Sequence, residues 1–580
     1  MIKGLAAQSR LLTRLMAYVI RLRPDALFTV TLGLFSSCLE IASLAVLVPL
    51  TTLASNRPIN PQSPWHHILD PLGIQVSARF FIFAFFALLL ARTLTQLATS
   101  VLTNHLNRQL NGLFSARALE AFIHHLNFEQ VQKESIGHFV AVAGDEAVRS
   151  AQIVTSVIRL IPLLFLFALY TAMITYQSWQ TGVGFVLFLL FVLACLWGAF
   201  RKSHELGRLQ QRQSREAGTH FIESLNGLRT VRAFNAETYV VSRYADMMRA
   251  YMRSWFYIDS INSFGGLLPT LLLTGGMLIA LNFISPPQLM SMLPAIVVGI
   301  MMVLRLLPLA TQTLDSALRL TADLKAAENV SEMLEAVKSL DNEKETALTS
   351  FKEQIAEIEF RAISFRYAPE LAPVLKNFST TFRAGKSYAI SGPSGAGKST
   401  IVDLLLKFYQ PRDGVVLING QDASTFAAST IRQRVVLVEQ TTRLFNDTIA
   451  RNVQFGYLSS EDAIVDTLKM VGLGDLLDAL PAREKTVLSY QGGNVSGGQR
   501  QRIGLARGLL RDADVLVLDE STSALDQATR EQILNELLPR YRDKIVIFIA
   551  HDPAILERVD EVIYLRPENE LRDTILASIV

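Results

Sequence analysis

Charge and cysteine are what this sequence has least of. Only 18% of its 580 residues are Asp, Glu, Lys or Arg, while 50% are hydrophobic; a soluble protein of this length carries about a quarter charged residues. The mean hydropathy of +0.29 therefore excludes a purely soluble enzyme and implies a membrane region. The net charge is only +3, and no block of Lys/Arg interleaved with aromatics occurs, so the chain has no electrostatic footprint for a nucleic-acid partner. The two cysteines, Cys38 and Cys195, both lie in apolar runs, where a thiol is expected to act as a small hydrophobe rather than as a ligand or a bridge. No secretory leader is expected in the first 25 residues either: Arg10, Arg14 and Arg21 interrupt them, which leaves no continuous apolar core or small-residue cleavage site.

What is there is apolar sequence, confined to the first ~310 residues. Runs of roughly 20 residues, long enough at 1.5 Å per residue to cross a ~30 Å hydrocarbon core, recur six times: Ala26–Leu53, Phe80–Leu102, Ile153–Tyr176, Thr181–Phe200, Phe264–Ile284 and Leu289–Leu309. The links after the third and fifth, "QSWQ" and "SPPQ", carry no charge, whereas those after the second and fourth are long and rich in arginine, the latter opening "RKSHELGRLQQRQSR". Lys/Arg excess marks the cytoplasmic side. Both long links and both chain ends are thus expected inside, and Ala54–Arg79 outside. Ahead of the first span, the arginines stand at helical spacing opposite Leu11, Leu15, Val19 and Leu22, which predicts an amphipathic helix in the cytoplasmic interface over residues 1–25. Within the membrane, Glu40 lies near the middle of the first span and Arg92 inside the second. Their backbones differ in depth by about 9 Å, within reach of two long side chains. The pair is expected either to lock two spans together or to leave Glu40 facing a cavity.

From "ADLKAAENVSEMLEAVKSLDNEKETALTSFKEQ" onward the pattern turns charged and helical, then polar. This gives a transmembrane domain over 1–325, a helix end and linker over 326–350, and a soluble α/β domain over 351–580, in which short β-rich runs alternate with helical ones. The expected fold is a six-span helical membrane domain followed by a cytosolic α/β domain, and the run G-P-S-G-A-G-K-S over 392–399, placed between a strand and a helix, makes the latter an α/β P-loop ATPase domain.

The chemistry concentrates in that last domain. In "SGPSGAGKST", fed by the strand "SYAIS" and left by the helix "TIVDLLLKFY", Gly392, Gly395 and Gly397 let the backbone amides turn toward phosphate oxygens while the helix adds its positive end. Lys398 would reach the β- and γ-phosphates of ATP, and Ser399 would offer its hydroxyl to Mg²⁺. "DVLVLDE" ends a buried strand on Asp519 and Glu520, suited to a carboxylate that holds Mg²⁺ through water and to a base for the attacking water. Between them, "NVSGGQRQRIGLARGLL" opens a second helix on Ser496, Gly497 and Gly498. One ATP needs one such cradle, so the second is expected to serve a nucleotide held by a partner chain.

This set of motifs resembles the ATP-binding cassette (ABC) transporters, in particular the exporter type with six spans ahead of one nucleotide-binding domain, and the likeness covers nearly the whole chain. It implies that Gly392, Pro393, Ser394, Gly395, Ala396, Gly397, Lys398, Ser399 and Thr400 form the Walker A segment, Asp519 the Walker B aspartate and Glu520 the catalytic glutamate. Val495–Gln499 matches the signature motif with Val where Leu is usual, so Ser496, Gly497, Gly498 and Gln499 would complete the partner's site. Gln440 in "LVEQTTRLF" matches the Q-loop that senses Mg²⁺, Ser523–Asp526 the D-loop, which adds Asp526, and His551 in "IFIAHD" the switch histidine. Tyr367 in "ISFRYAPE" resembles the aromatic that stacks on adenine. "GLRTVRAFNAE" (Gly227–Glu237) and "FEQVQKESIGHFV" (Phe128–Val140) resemble the two cytoplasmic coupling segments. Two departures stand out: Tyr490 occupies a position where such exporters usually carry a glutamate, and little follows "VIYLRPENELRD" where the family commonly has a longer tail.

The resemblance implies a homodimer, with a heterodimer as the other option, in a multi-pass plasma membrane, the bacterial inner membrane first. Its substrate would be hydrophobic or amphipathic: a lipid, glycolipid, peptide or drug-like compound. An importer on the exporter fold and an ATP-gated channel or regulator are the alternatives; the membrane-first order favours export, and intact Glu520 and His551 favour hydrolysis.

Overall fold

A computed structural model of the chain describes residues 2–47, 49–50, 77–124, 136–177, 179–281, 312–313, 316–317, 320, 323–335, 351, 353–489, 492–520 and 527–565. Contacts divide the chain into two units, the first Met1–Leu126 with Gln132–Asp341 and the second Asn342–Val580 with the short segment Asn127–Val131. The sixth span, most of the outer link Ala54–Arg79, Ser523–Asp526 and Tyr490 fall outside the described residues, as does most of Phe128–Val140.

The first unit is helical throughout its described length. Helix α1 (Ile2–Leu22) buries Leu15 and Val19 in one cluster with Leu106, Phe114, Ala327 and Val330, and Arg14 pairs with Glu335 at 2.9 Å. Its apolar face thus has a protein partner at Leu15 and Val19, while Leu22 stays exposed. Helix α2 (Asp25–Ala45) carries most of the first span, α3 (Ala78–His124) the second, and α4 (Ile136–Ala141) leads through a π turn at Val142–Glu146 into α5 (Ala147–Gln177), which holds the third. Helix α6 (Trp179–Asn226) contains the fourth span; the short α7 (Leu228–Ala233) joins it to α8 (Glu237–Leu281), which holds most of the fifth. Helices α3, α6 and α8 run for 47, 48 and 45 residues, roughly 70 Å each. A bilayer core uses less than half of that, so each extends well past it.

Two features lock the first unit together. The buried face of α2 is small and polar, Ala26, Thr29, Gly33, Ser37, Glu40 and Ser43, which lets backbones approach closely where no hydrophobic effect separates helix from lipid. A Cβ on Gly33 would stand 2.6 Å from Pro162 Cγ of α5, and Ser37 Oγ donates to the Pro162 carbonyl at 3.2 Å. At the other feature, buried Glu146 accepts from Arg215 Nε and Nη2 at 3.0 and 2.9 Å and from Asn329 Nδ2 at 2.7 Å, tying the π turn to α6 and to the helix over 323–335. Cys38 lies exposed on α2 rather than in this packed interior.

The second unit is built on two sheets. Strands β1 (Glu357–Phe365), β2 (Leu375–Arg383), β4 (Asp413–Ile418) and β5 (Gln421–Asp422) form an antiparallel sheet in the order β2-β1-β4-β5. Strands β3 (Lys386–Ser391), β6 (Val435–Val438), β7 (Val515–Asp519), β8 (Ile545–Ile549) and β9 (Glu561–Tyr564) form a parallel sheet in the order β6-β7-β8-β3-β9. Its central strands read as unbroken apolar runs, as strands covered on both faces must. Alternate residues feed two cores: Val515, Val517 and Ile547 join one with β1 and β2, and Leu516, Leu518 and Phe548 the other. Helix α9 (Lys398–Leu405) packs in the first core through Ile401, Leu404 and Leu405. In the second core, α10 (Gly497–Leu510) contributes Ile503, Leu505 and Leu509.

Candidate nucleotide site

Four loops leave the carboxyl edge of the parallel sheet side by side, because their strands are neighbours in it. Gln440 lies two residues past β6, Asp519 and Glu520 end β7, His551 follows β8, and Gly392–Gly397 follow β3. The register fixes this alignment: Asp519 pairs with Ile549, and Ile390 also pairs with Ile549.

The loop after β3 depends on its glycines. Gly392, Gly395 and Gly397 have φ of +148°, +81° and +96°, a region that disfavours side chains. A Cβ on Gly392 would stand 2.4 Å from the Leu565 carbonyl oxygen, and one on Gly397 2.9 Å from Leu375 Cδ2. Gly397 caps α9, and Lys398 Nζ donates back to the carbonyls of Gly392 and Pro393 at 2.7 and 3.0 Å. The ammonium is thereby held over its own loop, with Ser394 and Ser399 exposed and Ala396 and Thr400 buried.

Beside the loop, carboxylates crowd. Burial pushes the Asp519 carboxyl up to about 6, the adjacent Glu520 adds to the rise, Lys398 opposes it, and Asp403 and Glu439 raise it further. Glu520 itself holds φ of +44°, a left-handed region strained for a residue other than glycine, with its N–H donating to the Ile549 carbonyl at 3.0 Å. Its carboxylate accepts from Gln440 Nε2 at 2.6 Å and lies 3.8 Å from His551 Nε2. Among the described residues no three ligating side chains gather as a metal site. A cation here would have to arrive with phosphate oxygens, and the clustered negative charge suits one.

Tyr367 is half-buried. Its hydroxyl shares a hydrogen bond with Thr400 Oγ1 at 2.9 Å and donates to Asp403 Oδ2 at 3.3 Å, while its ring meets Phe365 and Tyr409 edge to face. Burial pushes its phenol up to about 12. It is anchored to α9, directly behind the loop. Asp403, which receives that bond and influences Asp519, is a residue that motif reading passes over; its signal is its position five residues after Lys398 on the same helix. Gln501 is another, donating to the Gln440 carbonyl at 3.2 Å.

The Ser496 segment is not drawn into this cluster. Ser496 and Gln499 close a capping box on α10, with Ser496 N to Gln499 Oε1 at 2.8 Å and Gln499 N to Ser496 Oγ at 3.2 Å. Ser496 and Gly497 remain exposed, so this helix start presents its amides outward. In the membrane unit, Glu40 and Arg92 do meet, at 3.0 Å, and Tyr170 Oη adds a hydrogen bond to Glu40 Oε1 at 3.1 Å.

Comparison with known proteins follows the same division. The family "ABC transporter transmembrane region" matches residues 31–286, and the family "ABC transporter" matches residues 375–523. The chain is 28% identical over 440 residues to an ATP-dependent lipid A-core flippase of Pectobacterium atrosepticum, covering 75% of this chain and 72% of the flippase. It is 30% identical over 424 residues to the mitochondrial iron-sulfur clusters transporter ATM1 of Candida glabrata, covering 70% of this chain but only 57% of that protein. A solved structure of a bacterial Atm1-family ABC exporter with ATP bound superimposes with a TM-score of 0.72 at 22% identity, covering 95% of both chains, which establishes the shared fold.

Proposed function

Since the chain belongs to the ABC transporters and is an exporter-type half-transporter whose ATP hydrolysis is coupled to transport, we propose that two copies of it form a homodimer that exports or flips an amphipathic molecule across a bacterial inner membrane, with both chain ends in the cytoplasm. The observation that carries this reading is the alignment of Gln440, Glu520 and His551 with the Gly392–Gly397 loop along one sheet edge.

Each residue has a physical task in it. The Gly392–Gly397 amides and Lys398 bind the triphosphate, and Tyr367 supports the adenine side of the loop. Glu520 accepts a proton from the attacking water, Gln440 orients the Glu520 carboxylate, and His551 contacts the γ-phosphate. Mg²⁺ bound with ATP would neutralise phosphate charge, held by the Ser399 hydroxyl, Gln440 and, through water, Asp519. The Ser496 side chain and the Gly497 and Gly498 amides, with Gln499, supply the anion cradle for the partner's ATP, to which Asp526 contributes. Two nucleotides sandwiched between two cassettes favour the closed pair, and the membrane unit's equilibrium between inward and outward forms follows that preference.

Inside-out vesicles test the reading: ATP-dependent accumulation of a fluorescent phospholipid or amphiphilic dye is expected with the wild-type chain and lost with Lys398→Ala. The shared site is tested by heterodimers of a Lys398→Ala chain with a Ser496→Arg chain, which place both lesions in one composite site and leave the other intact. These should retain hydrolysis that neither homodimer shows. Loss equal to that of the homodimers removes the independent composite sites.

A further inference from the structure

The membrane unit holds a half-open cavity of about 450 Å³, lined by α2, α3 and α5 and by Gln312 and Ser316, within the range of small-ligand sites. Its wall is unusual for hydrocarbon depth. Along α3 the lining positions Arg92, Gln96, Thr99 and Thr103 recur every three or four residues, one helical face, the first three inside a span made mostly of Leu, Ala and Phe and the last just past its end. On α2, Gly33, Ser37 and Glu40 follow the same spacing. Polar side chains in a membrane face a bundle interior or a watered cavity because lipid cannot satisfy them.

The hydrogen bonds show what this wall can offer. Ser37 Oγ shares its one proton between the Gly33 and Pro162 carbonyls at 3.1 and 3.2 Å, Thr99 Oγ1 donates to the Thr95 carbonyl at 2.8 Å and Thr103 Oγ1 to that of Thr99 at 2.7 Å. With their protons committed to the backbone, these hydroxyls retain oxygen lone pairs that accept. Among the described lining residues the charges do not cancel. Three of these are charged: Glu40 pairs with Arg92, while Arg159 Nη2 donates to the neutral Asn104 amide at 3.0 Å. Two guanidiniums against one carboxylate leave these described residues with one net positive charge. At one side Leu163 and Leu166 supply an apolar wall.

We infer that this cavity binds a compact head group bearing one net negative charge, phosphate or carboxylate, flanked by N–H or O–H donors: Arg159 anchors the anion and the committed hydroxyls accept from the donors. The inference rests on the transporter reading above and names the substrate class its membrane unit takes. The same head group can come on a lipid or free in solution.

The full-length protein, purified in mild detergent, tests this through its thermal unfolding midpoint, which a ligand of the folded state raises by mass action. Three probes separate the possibilities: lysophosphatidylserine, with net charge −1 and an ammonium donor; lysophosphatidylcholine, with the phosphate but no net charge and no N–H; and soluble glycerophosphoserine. Lysophosphatidylserine is expected to raise the midpoint saturably and lysophosphatidylcholine not to. Arg159→Gln is expected to raise the half-saturating concentration about tenfold, the scale of one charge-assisted contact. Gln96→Ala, which removes no charge, is expected to raise it about threefold, so the test survives if the arginine variant folds poorly. Arg212→Gln, an exposed cytoplasmic arginine paired with Glu216 at 2.8 Å, should respond like wild type. An equal response to glycerophosphoserine assigns the ligand to solution; a response to the lysolipid alone assigns it to the membrane. An equal effect of lysophosphatidylcholine, no response to either serine probe, or unchanged half-saturation in the Arg159 and Gln96 variants overturns the inference. ATP hydrolysis by the same wild-type preparation keeps the two readings apart: turnover without anion selectivity defeats only the cavity, and absent turnover defeats the transporter reading while leaving the binding result to stand.

Discussion

In the second unit the buried positions are mostly Ile, Val, Leu and Phe, as in the run Ile545–Ile549. On α2 they are Ala26, Thr29, Gly33, Ser37, Glu40 and Ser43, while Leu27, Phe28 and Phe35 face outward. The inversion follows from the solvent. Water drives apolar surface inward, by about 25 cal/mol per Å², whereas a lipid tail is as apolar as leucine and leaves packing and hydrogen bonding to decide which face is buried. Chemistry is placed differently as a result. The cassette sets its reactive groups at strand ends, on loops whose shape a few glycines dictate. The membrane unit sets its polar groups on the buried phase of helices, where no local motif announces them.

The sharpest test of the cassette side is Glu520→Gln. It keeps the hydrogen bond from Gln440 within reach but removes the base, so hydrolysis should slow by at least ~10²-fold while ATP binding persists. Steady-state turnover beside equilibrium nucleotide binding on the purified variant checks this. Near-wild-type turnover would place the base elsewhere.

Next come the glycines, which set the two regions against each other. Gly392→Ala forces a Cβ to 2.4 Å from the Leu565 carbonyl at φ +148°, a strain of about 1–3 kcal/mol, and should weaken ATP binding about tenfold. Gly33→Ala meets Pro162 at 2.6 Å and should lower the unfolding temperature without altering ATP affinity. Gly112→Ala on α3, where a Cβ has nothing within 4 Å, should be neutral or stabilise by about 0.5–1 kcal/mol. If Gly33→Ala changed ATP affinity as strongly as Gly392→Ala, the division of labour between the two regions would be wrong.

This contrast also explains what could be read in advance. The helical membrane region, the α/β domain and the motifs of Gly392–Ser399 and Asp519–Glu520 are local in sequence: a strand, a tight turn and a helix start stand within a dozen residues. Glu40 and Arg92 were legible because a charge at hydrocarbon depth demands a partner. The Thr99 and Thr103 stripe was not, since threonines in or just past an apolar span are individually unremarkable and matter only once α2 and α5 close on them. Nor was Asp403, whose effect on Asp519 and Tyr367 depends on two strands and a helix brought together. The inward packing of α1 escaped too, because an amphipathic helix has the same pattern whether its apolar face meets lipid or protein.

Glu40→Gln probes the membrane side with a smaller effect. The amide can still accept from Tyr170 Oη, but Arg92 loses its counter-charge. Because intramembrane hydrogen bonds average well under 2 kcal/mol, a loss of about 1–2 kcal/mol in stability is expected. Glu40→Gln with Arg92→Gln should recover part of it, since the second change removes the stranded charge. Unfolding of both variants in the same detergent measures the recovery. A double variant as unstable as the sum of its parts would mean that the two residues act separately.

The smallest effect is the pH dependence of the nucleotide-free cassette at Asp519. Its carboxyl is raised from 3.8 to about 6, first by burial and then by Glu520, so between those values the folded chain holds a proton that the unfolded chain has released. Stability from this group is therefore complete below pH 3.8 and declines as pH rises through about 6. Asp519→Asn is neutral at every pH and keeps an oxygen and a donor in the same place, so it should remove this component. The difference in unfolding midpoint between wild type and variant should be least near pH 4.5 and should grow toward pH 7.5, with the variant the more stable chain at the upper end. The carboxylate that costs stability there is the one left with Glu520, Asp403 and Glu439 around it and only Lys398 to oppose them, a charge pattern that favours an incoming cation. Added Mg²⁺ with ATP should thus stabilise wild type more than Asp519→Asn as pH rises from 5.5 to 7.5. A variant less stable than wild type at neutral pH, before any nucleotide is added, would show that the protein alone already stabilises the ionised Asp519.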